Sequence, residues 1–168
     1  RYFPHEEGDI LGETQWNWLE NELRTSDAQI HLIGTSIQAI SEQHPWEKWA
    51  NFPQARERLF NVIRRTEAPG VILLSGDRHH AELSRLDEKV SYPLYELTAS
   101  GLTHHVPPRK EPHRHRVDSL VTTLNFGLIT IDWNADPVTL RLQVRDKNNE
   151  PRLDRTIQFP ALLPSHSE

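Results

Sequence analysis

Asp77, Arg78, His79, His80 and Glu82 follow directly on a short apolar run, Val71 to Leu74, that ends in Ser75-Gly76. Carboxylate and imidazole are the side chains that hold metal ions through oxygen and nitrogen, and imidazole also moves protons near neutral pH. Asp77 and His79 are two apart, so in extended backbone their side chains leave on the same side. Held that way, the pair can share one metal ion or serve two neighbouring ones. Gly76 lets the backbone turn tightly in front of them. The same residues can equally be caps on backbone groups, and spacing alone leaves the two readings level.

The element that must position them is the apolar run. Val71 to Leu74 predicts a fully buried strand, and polar side chains at such a strand end mark the ligand edge of an α/β sheet. Ile30 to Ile33 predicts a second buried strand, ending in Gly34-Thr35-Ser36. If the two are parallel, Thr35 or Ser36 opens onto the same edge as Asp77, with Asn51 near the rim. Residues 37–52, which include His44, Trp46, Trp49 and Asn51, predict an ordered aromatic loop or short helix over that edge.

Glu13 to Arg24 carries Trp16, Leu19 and Leu23 at helical spacing, with Trp18 beside them, and both tryptophans are expected in the core. Pro53 suits the first residue of another helix, with Leu59, Phe60 and Ile63 on its apolar stripe. Arg56, Arg58, Arg64 and Arg65 read as a solvated face, although Arg56 is placed early enough to reach back. Ser91 to Ser100 predicts a strand. Residues 101–119, with His104, His105, His113 and His115 among prolines, predict an exposed, flexible loop whose metal reading is compositional only. After Leu124 the pattern alternates strictly. Ile129, Ile131 and Trp133, then Leu140, Leu142 and Val144, predict antiparallel strands around a turn at residues 134–137, with a last strand from Arg155 to Phe159.

The 168 residues suit one domain of α/β class with its own core. A net charge of -5 argues against a nucleic-acid-binding surface over the whole protein, and the absence of Cys removes thiolate sites and disulfides. No apolar run reaches membrane-spanning length. Arg1 stands where an initiator Met would, and Arg1-Tyr2-Phe3-Pro4 reads as internal sequence, which predicts a truncated chain.

Five stretches carry a resemblance: Leu11-Gly-Glu-Thr-Gln-Trp-Asn-Trp-Leu19, Trp49-Ala-Asn-Phe-Pro-Gln-Ala-Arg56, Leu74-Ser-Gly-Asp-Arg-His79, Leu97-Thr-Ala-Ser-Gly101 and Asn125-Phe-Gly-Leu-Ile-Thr-Ile-Asp-Trp133. In order and spacing they resemble PhoD-like alkaline phosphatases, members of the calcineurin-like metallophosphoesterases. The resemblance implies a layered β-sandwich flanked by helices, antiparallel strands at the C-terminal end, and a site of two or more metal ions (Ca, Fe, Mn or Zn). It implies hydrolysis of a phosphate ester by metal-assisted attack of water, outside the cytoplasm in the periplasm or as a secreted enzyme. Gly76-Asp77-Arg78-His79 matches the family's Gly-Asp-x-His, which makes Asp77 and His79 metal ligands. His80 has no ligand counterpart and is expected to protonate the leaving oxygen. Arg1 matches the arginine of an Asp-x-Arg segment, which implies a contact with substrate phosphate or a structural one.

The family's other metal motifs are absent from this sequence. Residues 1–168 therefore read as the C-terminal portion of a single metallophosphoesterase domain, inactive alone and weak in metal binding. The competing reading is a non-catalytic fragment or binding module that uses the loop around Trp46 and Trp49, or the histidine-rich loop. Phosphodiesterase or phospholipase action on the same scaffold is a third.

Overall fold

A computed structural model describes residues 3–108 and 110–164. Helix α1, Gly12–Thr25, buries Trp16, Leu19 and Leu23 on one face. Its start is tied by Asp9, whose carboxylate accepts from the Ile10 and Gly12 amides at 2.8 and 3.0 Å and from the Trp16 indole at 2.8 Å. Trp18 departs from the expectation: it is 56% exposed, because it lies one step off the 3–4 spacing of the buried face.

Strand β1, His31–Gly34, leads through an irregular segment and a single 3-10 turn, Trp49–Asn51, to α2, Pro53–Thr66. Pro53 stands at the helix start, as expected, and Ala55, Leu59, Phe60, Val62 and Ile63 are buried. Gly70, at φ +61°, turns the chain into β2, Val71–Ser75, and a Cβ there would meet the Gln29 carbonyl at 2.3 Å. Strands β3, Ala81–Leu86, and β4, Leu94–Ala99, complete a sheet of order β1-β2-β4-β3. β1 and β4 run parallel to β2, whereas β3 is antiparallel to β4.

Strand β3 is the element that the sequence pattern did not announce. It pairs with β4 over its whole length, and its outer side meets residues 113–121 through the Ala81–Val121 and Ser84–Arg116 bridges. Residues 113–119 of this segment are therefore a strap laid along β3, held by backbone and side chains, whereas residues 102–105, 107 and 108 are exposed, as the prolines suggest. At the other end of the sheet, β1 has β2 as its one neighbour among the described strands, and Leu32 is 48% exposed there.

Three antiparallel strands form the second sheet, in the order β5, Asn125–Asp132, β6, Thr139–Asp146, and β7, Pro151–Gln158. Leu140, Leu142, Val144, Leu153 and Ile157 are its buried members, whereas Trp133 lies just past β5 and is 56% exposed. The two sheets meet where a Cβ on Gly127 would touch Ala99 at 3.1 Å and Leu97 at 3.3 Å. The α/β class, the parallel pairing of β1 with β2 and the C-terminal antiparallel sheet follow the expectation, whereas β1, expected to be buried, has only half-buried and exposed residues. Among the described residues no helix is long and apolar enough to cross a membrane.

Candidate functional site

Because β1, β2 and β4 are parallel, their C-terminal ends open on one edge: Gly34-Thr35-Ser36, Ser75-Gly76-Asp77 and Ala99-Ser100-Gly101. The Thr35 amide donates to the Leu74 carbonyl at 2.8 Å, and the Thr35 hydroxyl accepts from the Trp49 indole at 2.9 Å. A Cβ on Gly76 would sit 3.7 Å from the Ser36 carbonyl and 3.7 Å from Ser100, so the three ends are close neighbours. Gly101 is locked to the second sheet, its amide donating to Asn125 Oδ1 and its carbonyl accepting from the Asn125 amide at 3.0 Å.

Between these ends runs the loop 76–80. Asp77 and His79 both take left-handed backbone, at φ 67° and 53°. The argument from extended backbone therefore does not describe this pair. Such conformations cost about 1–3 kcal/mol each in non-glycine residues, and they persist only where surroundings over-determine them. The surroundings do so here. The His79 amide donates to Ser100 Oγ at 2.9 Å, and its carbonyl accepts from the Val106 amide at 3.0 Å. Its Nε2 lies 3.2 Å from His104 Nε2, and the His104 Nδ1 lies 3.0 Å from the Thr103 hydroxyl. Arg78, 5% exposed, closes on Glu111 at 2.7 and 2.8 Å. Asp77 is exposed and its carboxylate bonds to no described residue.

Beneath this loop one face of the sheet is polar and buried. Ser75, Glu82, Ser84, Glu96 and Thr98 are each at most 9% exposed. Gln38 donates to Glu82 at 2.5 Å and to Thr98 at 2.9 Å; Arg116 donates to the other Glu82 oxygen at 2.5 Å. Burial alone would push the Glu82 carboxyl up. The His80 imidazole at 3.5 Å, His113 and the Arg116 guanidinium reverse that and hold it well below the usual carboxylate range. Glu96 moves the other way: burial raises it, against the pull of the Ala39 and Ile40 amides that it accepts at 2.8 and 2.7 Å. Burial, then the charges of Arg78 and Lys48, push His44 down to about 3.

His80 belongs to this interior. It is 0% exposed and stands 3.5 Å from Glu82. Asn51, expected near the rim, is 4% exposed and bonded to Lys48. Arg56 does reach back, to the Ala39 and Ile40 carbonyls at 2.6 and 2.9 Å and to Glu42 at 2.9 Å. Of the aromatic loop, Trp49 is 2% exposed and Trp46 is 49% exposed, which leaves little of an aromatic binding surface. His113 bonds Ser84 at 2.7 Å, so the histidine-rich segment is partly interior as well. Arg1 lies outside the described residues.

The sequence model of the PhoD-like phosphatases matches residues 3–141. The chain belongs to that family. It is 29% identical over 107 residues to alkaline phosphatase D of Bacillus subtilis (strain 168), a match that covers 56% of this chain and 18% of that protein. It is also similar to a solved structure titled "Structure of PhoD", with a TM-score of 0.72 over 99% of this chain and 38% of that one; at 17% identity, that likeness speaks for the fold. The chain thus spans well under half the length of both PhoD-type proteins it matches.

For a PhoD-like chain, the question for the loop 76–80 is whether its donors suit a metal. In type they do: an exposed carboxylate oxygen at Asp77 and an imidazole nitrogen at His79 match hard and borderline divalent ions. His79 Nδ1 bonds to no described residue and is uncommitted. Among the described residues no three His, Asp or Glu side chains converge on one point.

Sequence reasoning missed the polar interior. The signal was present, because Glu82 and Ser84 alternate with Ala81 and Leu83, as Glu96 and Thr98 do with Leu97 and Ala99.

Proposed function

We propose that the chain supplies part of the active site of a metal-dependent phosphate-ester hydrolase, to which it contributes Asp77 and His79 as ligands. The observation that supports this reading best is the loop itself. Two left-handed non-glycine residues, with His79 held by its amide, carbonyl and side chain, are backbone strain stored at the ligand edge of the sheet. On this reading, which rests on the sequence resemblance, residues 1–168 act as the C-terminal portion of a larger catalytic domain that brings the remaining ligands. By resemblance alone, the enzyme works in the periplasm or is secreted.

Bound metal ions would supply positive charge to the phosphoryl oxygens and to attacking water. The chain's own part is geometric and electrostatic. Asp77 lowers the net charge of the metal group. The tethers from Ser100, Val106 and His104 hold the His79 ring in place without a ligand present. The polar interior under the loop keeps the support rigid. The test compares residues 1–168 with a version extended upstream, measuring aryl phosphate hydrolysis and metal content with manganese, calcium or iron added. Activity and metal retention in the extended protein, both lost in Asp77→Ala and His79→Ala, support the proposal. Unchanged metal content in both variants overturns it.

A further inference from the structure

His79 and His104 belong to different loops, yet their Nε2 atoms stand 3.2 Å apart. His104 is exposed and His79 half-buried, so the contact lies where solvent reaches it. Two imidazole nitrogens meet at this distance in one of two ways. Either one ring donates its proton to the other, or both aim lone pairs at a shared cation. The outer nitrogens suit the cation. His104 Nδ1 lies 3.0 Å from the Thr103 hydroxyl, which can accept its proton, and His79 Nδ1 bonds to no described residue and can give its proton to water. With both protons outside, both lone pairs sit on Nε2. A hydrogen bond between exposed rings is weak, and it does not offset the left-handed backbone that brings His79 to it.

The distance fits the same reading. Metal–imidazole bonds of about 2.0–2.1 Å at a tetrahedral angle place the two nitrogens about 3.3–3.4 Å apart. The ring centroids are 3.9 Å apart with planes at 64°, whereas rings that share a tetrahedral ion stand about 5 Å apart. The exposed His104 ring therefore swings outward by about 1 Å to admit the ion. We propose that His79 and His104 form a two-imidazole clamp for one transition-metal ion, with the Thr103 hydroxyl fixing the His104 ring. Imidazole pairs suit zinc, iron, cobalt or nickel, whereas calcium takes oxygen ligands. The Gly-Asp-x-His resemblance supplies His79 alone; His104 is added by the geometry. The clamp deepens the function proposed above by naming a further ligand and the class of ion, but it needs only residues of this chain.

The experiment measures zinc and calcium binding by calorimetry on the 168-residue chain, and counts coordinated nitrogens by EPR of the copper(II)-loaded protein. Zinc is expected to bind and calcium not. His104→Ala and His79→Ala are each expected to weaken zinc binding more than roughly 10-fold and to remove one nitrogen from the copper spectrum. Thr103→Val is expected to weaken zinc roughly 10-fold with the nitrogen count unchanged. His105→Ala, whose ring turns to the Val106 carbonyl at 3.1 Å, is expected to match wild type in both readings. His104 is exposed, so its variant keeps the fold, and a melt without metal checks this; if His79→Ala fails to fold, His104→Ala carries the decision. A wild-type chain that takes up no zinc overturns the clamp. So does a His104→Ala chain with wild-type affinity and nitrogen count, which is the result that adventitious binding at other histidines gives. Because no turnover is measured, failure of the hydrolysis assay in the extended enzyme sinks the proposed function and leaves these readings standing.

Discussion

Replacing Glu82 probes the support of the ligand loop without touching the loop. Its side chain is fully buried and receives Gln38 and Arg116, each at 2.5 Å. In Glu82→Ala, Gln38 keeps only Thr98 as acceptor, and the Arg116 charge, itself mostly buried, is left without a carboxylate partner. Removing one partner of such a pair costs about 3–5 kcal/mol. At about 2–4 °C per kcal/mol for a chain of this size, the expected drop in Tm is roughly 6–20 °C. Glu82→Gln keeps the volume and one acceptor, so its cost is about 1–3 kcal/mol.

The pH dependence sharpens the test. The Glu82 carboxyl is held below its usual value of 4.5 in the fold, so its stabilisation is present above the range where the unfolded carboxyl titrates. It is lost as pH falls below that range toward the folded value. Glu96, raised by burial, acts in the opposite sense and lowers stability as pH climbs through the carboxylate range. Urea unfolding of wild type and Glu82→Gln should therefore show a gap that narrows on acidification. A Glu82→Ala variant within about 1 kcal/mol of wild type, or a gap that does not change with pH, would falsify the assignment of Glu82 as the charged centre of the support.

Two other perturbations are informative. Asp77→Gly relieves the left-handed backbone at φ 67° and should raise stability by about 0.5–1 kcal/mol while metal retention in the extended enzyme is lost; thermal melts and metal analysis read the two effects separately. Leu32→Lys places a charge on the open β1 edge, where Leu32 is 48% exposed, and should reduce self-association in sedimentation experiments while changing monomer stability by less than about 0.5 kcal/mol.

The parts of the fold that were legible are those in which one physical term dominates. Val71–Ser75 is apolar at every position but the last and buried at all but Leu74, and a continuous apolar run has few other readings. Pro53 announces its helix, and the alternation of Leu140, Leu142 and Val144 announces a one-sided strand. Asp77 and His79 were legible as residue types at a strand end. Their left-handed backbone was not; at His79 it is held by Ser100, Val106 and His104, all more than twenty positions further along the chain.

Strand β3 and the buried polar face were hidden by one assumption, that polar members of an alternating pattern face water. Here they face two segments without regular structure, 35–48 and 101–119. The strap bonds β3 partly through its own backbone, but among the described residues no strand completes the hydrogen bonds of Ala39 and Ile40, although Gln38, Ala39, Ile40 and Ser41 are buried to 1% exposure or less. Side chains must stand in for the missing strand. Glu96 takes the amides of Ala39 and Ile40 from one side, and Arg56 gives to their carbonyls from the other. Ser84, Glu82 and Arg78 hold the second segment in the same manner through His113, Arg116 and Glu111. The buried charges are thus what irregular backbone requires in order to lie against a sheet.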